Sequence, residues 1–222
     1  MKNENHNRYE FERGIKMPKV KGREYRSMNP LVVQQRAQGD EESYRATGYA
    51  TTFDVPYLLY EFDGIKYFEQ ISGSALDGAD ISDVVCRFDH EGHVYARTKN
   101  GTLKLTPDGH GLMIDADLST TEAARQMHEE IRTGLIDKMS WAFTVAEDSY
   151  NSETRTRTIL KIKKVYDVSP VTFPADADTD ISARSFVDGV IAKETAERLE
   201  RRRKQMSMLI DSYIGTNEKE KE

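Results

Sequence analysis

The chain has 222 residues, of which 37% are apolar and 32% charged, with a formal net charge of −6. That length predicts one domain plus tails, and the acidic balance argues against nucleic-acid binding by the chain as a whole. No apolar run reaches the roughly 20 residues of a membrane span, the start lacks the apolar stretch of a secretory signal, and the single cysteine, Cys86, leaves no internal disulfide and fits a reducing cytoplasm.

Residues 1 to about 45 are polar and lean basic, without a sustained period. They are expected to form a flexible arm, with docking on an acidic partner or removal by cleavage as the sharper alternatives. From Ala46 the texture changes. The segment "ATGYATTFDVPYLLYEF" is rich in Thr, Tyr, Phe and Val and predicts strand with a break at Pro56. Asp63-Gly64 predicts a turn into a second strand, "IKYFEQI". A loop, "SGSALDGADIS", then leads to the β-branched strand "DVVCRF". Further on, Leu103, Leu105, Leu112 and Ile114 alternate about a turn at Pro107-Asp108-Gly109, the clearest hairpin signal in the chain.

The segment "STTEAARQMHEEIRTG" predicts a helix. Ser119 and Glu122 have capping-box spacing, Ala124, Met127, Ile131 and Leu135 follow a helical period, and Gly134 is placed to end it. Strand texture returns in "KMSWAFTVAEDSY" and "TRTRTILKIKKVYDVSPVTF", with Pro170 and Pro174 ending the β region. From Phe186 the composition is helical. Val187, Val190 and Ile191 form one apolar face and Met206, Leu209, Ile210 and Tyr213 another, with a solvated "RRRK" run between them. This order predicts a mainly β, α+β fold, an antiparallel barrel or sandwich with a few flanking helices.

The segment "CRFDHEGHVYARTKNGTL" carries the chemistry-bearing residues nearest one another. His90 and His93 are three apart, one residue closer than the zincin pattern. Gly92 between them disfavours a helix, and in an extended chain they point to opposite faces. A zinc site is therefore not expected. Cys86 and His90 share a strand face but lie about 13 Å apart along it, beyond direct pairing, so Cys86 is read as a small buried residue. His90 alone fits a structural histidine at a strand end. Ser140, a serine among apolar neighbours at a strand start, is a candidate nucleophile, or else a buried hydroxyl bonded to backbone.

The order and spacing of "GYATTFDV", "YFEQISGSAL", "DVVCRFDHEGHVYART", "GTLKLTPDGHGLMIDADL", "RTGLIDKMSWAFTV" and "VYDVSPVTFPADADT" resemble the prohead proteases of tailed bacteriophages, capsid-maturation serine proteases related to herpesvirus assemblin. The resemblance covers about residues 46 to 184. It implies a protease domain there with a herpesvirus-protease-like antiparallel β-barrel. It leaves residues 1–45 as the arm and 185–222 as a charged helical tail. It also implies a Ser-His-acid triad of Ser140, His90 and Asp167. Ala142 stands where the family usually has glycine, and Asp167 where it more often has glutamate, one methylene longer. Assemblin's second histidine keeps His93, His110 and His128 as alternatives for the third position.

The implied function is a serine endopeptidase without cofactor or metal. It would cut scaffold, or the scaffold-like arm of the major capsid protein, and its own termini. It would act as a homo-oligomer inside the assembling prohead in the host cytoplasm, with neither nucleic acid nor membrane as partner. The alternatives are a catalytically inactive assembly or scaffold protein on the same fold and a metal hydrolase using His90 and His93.

Overall fold

The computed structural model describes residues 22–30, 32–33, 44–172 and 181–219. Its strands are β1 (Glu24–Pro30), β2 (Val32–Val33), β3 (Arg45–Thr52), β4 (Tyr57–Phe62), β5 (Ile65–Ile71), β6 (Val85–Phe88), β7 (Glu91–Arg97), β8 (Leu103–Pro107), β9 (Gly111–Asp117), β10 (Lys138–Asn151) and β11 (Thr156–Val171). Helix α1 spans Glu122–Arg132 and helix α2 spans Ile181–Lys219. The fold is mainly β, with α2 at its C-terminal end.

One sheet runs β1-β10-β11-β5-β4, with β6 added beside the far end of β11 and β7 beside β6. The other runs β2-β3-β9-β8. Buried residues from both sheets and from α1 form one core, including Trp141, Phe143, Leu112, Ile114, Met127 and Ile131. Among the described residues no strand pairing closes either sheet into a barrel. The pairing is mixed, because β11 runs parallel to both β5 and β6. A 16-residue strand reaches two neighbours at opposite ends, each delivered by a crossover rather than a hairpin.

The alternating hairpin is β8–β9 in the expected register, Leu105 opposite Ile114. Asp63 and Gly64 both have positive φ, the turn expected between β4 and β5. Helix α1 buries Ala124, Met127 and Ile131 as its period predicts. Its cap is Thr121 rather than Ser119, with Thr121 Oγ1 accepting from Ala124 N at 3.1 Å. Leu135 lies beyond the helix and is 72% exposed, since Gly134 has already turned the chain at φ +75°. Pro170 does not end the β region: β11 passes through it to Val171, and the Pro170 carbonyl accepts from Asp89 N at 3.0 Å.

The sequence places residues 24–30 in the polar arm. They form β1, antiparallel to β10, with Glu24 and Arg26 buried. Arg26 binds Glu69 at 2.5 and 3.0 Å and Glu24 at 2.7 Å. Arg157 binds Glu24 at 2.6 and 3.0 Å, Glu69 at 2.9 Å and Asp148 at 2.7 Å. Charges that read as solvated in sequence are paired only once β1, β5 and β11 meet, which periodicity cannot reveal. On the same side Phe186, Val187 and Val190 of α2 are buried against Leu59, Tyr60, Tyr67 and Tyr150. The Arg157 guanidinium lies 4.5 Å from the Phe186 ring centre. Farther along, Leu199, Met206, Leu209 and Ile210 are exposed.

The buried pairs set a boundary for trimming. A chain starting at Arg23 keeps β1 and all of these pairs, and is expected to melt close to the full chain. A chain starting at Leu31 is expected to lose cooperative unfolding, because Glu69 and Arg157 keep their burial and lose partners. Thermal melts followed by circular dichroism check both.

Candidate active site

Strands β6 and β7 are joined by a two-residue turn, Asp89-His90, with φ +44° and +63°. Both central residues lie in the left-handed region, as a hairpin turn of this length requires, yet neither is glycine. The conformation is held from outside. The Asp89 carboxylate accepts from Thr172 N and Thr172 Oγ1, both at 3.0 Å, and Asp89 N donates to Pro170. The hairpin tip is thereby fixed to the end of β11, and His90 is aimed at the sheet.

On the sheet, β10 lies between β1 and β11. Ser140 is opposite Ser169 of β11 and opposite Ser27 of β1, and Ala142 is opposite Asp167 and Tyr25. Two-residue alternation puts Ser140 and Ala142 on one face, and Asp167 and Ser169 together on theirs. His90 bridges them. Its Nδ1 is 2.5 Å from Asp167 Oδ1, and its Nε2 is 2.7 Å from Ser140 Oγ. With Nδ1–H donating to the carboxylate, Nε2 is the acceptor of the Ser140 hydroxyl proton. The Tyr25 ring stands edge-on to the imidazole at 4.7 Å between centres. Ser140 is 0% exposed and Asp167 2%.

The structure therefore brings together all three residues of the expected constellation, although they are 50 and 77 positions apart from His90 in sequence. The other histidines lie elsewhere. His93 is exposed on β7. His110 stacks edge-on with Tyr49 beside the β8–β9 turn. His128 is buried in α1 against Tyr44. Both ring nitrogens of His90 are engaged, which leaves none for a metal shared with His93. Cys86 is buried on β6, and its thiol is pushed up to about 12 by burial and by the Asp167 charge, so it is no nucleophile at neutral pH. Arg97 and Arg132 are committed to Asp83 and Glu129, while Arg87 donates to the Gly92 carbonyl at 3.2 Å.

Sequence reasoning missed Tyr25, because it lay in the presumed arm, and Asp89 and Thr172, whose pairing is tertiary. Ser169 lies in "VYDVSPVTF", where its i, i+2 spacing from Asp167 is the one signal the sequence carries.

His128 carries a prediction of its own. Neither ring nitrogen has a hydrogen-bond partner, and Glu129 Oε1 is 3.7 Å away. Burial pushes its affinity for a proton below the ordinary value of 6.5. Below about pH 6.5 the unfolded chain takes up a proton that the folded state resists, so stability is full above that pH and falls beneath it. His128→Phe is expected to flatten the melting temperature between pH 7 and 5, and a slope unchanged from the native chain would refute this.

Among known proteins, the "Prohead protease" of Enterobacteria phage HK97 is 30% identical to this chain over 87 residues, 39% of the length of each. No solved structure gives a significant match. The sequence profile of the caudovirus prohead serine proteases matches residues 30–197. That stretch takes in the His90 hairpin, both strands that carry Ser140 and Asp167, and the docked turns of α2, and over that extent the chain belongs to the caudovirus prohead serine protease family.

Proposed function

We propose that the chain is a serine endopeptidase of capsid maturation, with Ser140 as nucleophile, His90 as general base and acid, and Asp167 as the carboxylate that orients His90. The observation that carries this is the hydrogen-bonded row Ser140–His90–Asp167, at 2.7 and 2.5 Å. Ser140 Oγ attacks the scissile carbonyl as its proton passes to His90 Nε2. Asp167 holds the Nδ1–H tautomer and stabilises the imidazolium. His90 then returns the proton to the leaving amine, and water repeats the cycle on the acyl-enzyme. The oxyanion must be met by hydrogen-bond donors, each contributing about 3–4 kcal/mol.

Ser140 has no exposed surface. A scissile carbonyl can reach it only after a covering element moves, so this geometry is a latent one, opened when substrate engages. The substrates are scaffold, or the scaffold-like arm of the major capsid protein, together with the chain's own termini. The N-terminal cut falls ahead of Glu24, because β1 is built into the sheet. The protease domain is residues 46–184 with β1 added, the two sheets being halves of a herpesvirus-protease-like barrel. It works as a homo-oligomer inside the prohead, in the host cytoplasm. No described helix is long and apolar enough to cross a membrane.

The complete burial of Ser140 favours one rival, an inactive assembly protein on the same fold. Co-expression with the capsid precursor separates them. Precursor fragments should accumulate with the native chain and be absent with Ser140→Ala, and identical fragments from both would overturn the protease assignment.

A further inference from the structure

We propose that Ser169 is a positioning residue for the catalytic row, acting through Asp167. Its Oγ donates to Asp167 Oδ1 at 2.7 Å, and that same oxygen accepts from His90 Nδ1 at 2.5 Å. Ser169 is 0% exposed and Asp167 2% exposed, so no bulk water competes for the carboxylate. A buried carboxylate with one donor can rotate about its last torsion and exchange its two oxygens. Two donors converging on one oxygen fix that torsion, and with it the direction in which His90 is held.

The spacing makes this a property of the strand. Asp167 and Ser169 are i and i+2 on β11, so both project from one face. Ser169 is in turn the rung partner of Ser140. One residue is thus tied to the nucleophile's strand by register and to the orienting carboxylate by its hydroxyl. Aspartate has one methylene less than glutamate with which to find His90. Its orientation therefore has to come from a neighbour more than from its own reach.

This inference rests on the protease assignment, and its test separates the two. In protein with 15N-labelled histidine, the downfield signal of the His90 Nδ1 proton reports the bond to Asp167 whether or not Ser140 cuts anything. Ser169→Ala is expected to broaden that signal by faster exchange with solvent, and Ser169→Thr, which keeps the hydroxyl, to preserve it. With a fluorophosphonate probe added to the chain co-assembled with its capsid precursor, the maximal rate of Ser140 labelling should fall about ten- to hundredfold in Ser169→Ala, as loss of a hydrogen bond to a charged group implies. The half-saturating probe concentration should be unchanged, and Ser169→Thr should recover most of the rate.

Melting temperatures show whether each variant is folded. A folded Ser169→Ala protein with native signal and native labelling rate would overturn the proposal. So would labelling that falls only in step with loss of folded protein. A native chain that never labels even in that assembly, yet loses the proton signal on Ser169→Ala, would defeat the protease assignment and leave the positioning role standing.

Discussion

Ser140→Ala is expected to lower the rate of precursor cleavage by about 10⁶-fold, the scale on which removal of a triad nucleophile acts. The reason lies in how the row divides its work. In the proposed mechanism Ser140 forms the covalent bond and His90 Nε2, 2.7 Å from Oγ, carries the proton, so neither would act without the other. His90→Ala should therefore cost about as much, and the double variant hardly more than either. Asp167→Asn is the milder change. It keeps the shape and the buried position, inverts the tautomer that the carboxylate imposes, and should cost about 10⁴-fold. Cleavage assays on purified precursor at saturating concentration check all three, and additive losses in the double variant would contradict a coupled row.

Removing one cation from the buried cluster is expected to have the largest effect on stability. Arg157 is 1% exposed and binds Glu24, Glu69 and Asp148. Arg157→Ala leaves Glu24 and Glu69 to share Arg26 alone, takes the guanidinium from Asp148, and should destabilise the fold by about 3–5 kcal/mol. The same cluster sets the response to acid. Burial would push the Glu69 carboxyl up, but the Arg26 and Arg157 guanidinium groups outweigh it and hold it at about 2, against an ordinary 4.5. This contribution is complete above about pH 4.5 and is lost as pH falls from there toward 2. Glu69→Gln should be less stable at pH 7 and should lose part of that acid slope. Denaturant titrations at several pH values measure both, and an Arg157→Ala protein as stable as the native chain would refute the account of β1.

The parts of the fold legible in the sequence are those written in local pattern. The β8–β9 hairpin alternates with period two, and α1 carries its apolar stripe and its terminating Gly134. β7 is missed because its first four residues are all exposed, which leaves no alternation to read. The turn that delivers His90 is missed because Asp-His lacks the glycine that usually marks a left-handed pair. It is held instead by Thr172 and Pro170, more than 80 residues away. β1 is missed for an electrostatic reason: Glu24 and Arg26 look like surface residues until Glu69 and Arg157 are placed beside them. The candidate triad was reachable through the resemblance in "SWAF", "FDHEG" and "YDVSP", not through spacing, since nothing local ties residues 90, 140 and 167 together.

In the proposed mechanism His90 makes the Ser140 hydroxyl nucleophilic. The most direct measurement is peptide mapping by mass spectrometry after a fluorophosphonate is added to the chain co-assembled with its capsid precursor. The adduct should sit on Ser140, precursor cleavage should stop as it forms, and His90→Ala protein should remain unmodified. Continued cleavage by protein whose Ser140 stays unmodified, or an adduct that arrests cleavage from another residue, would contradict it.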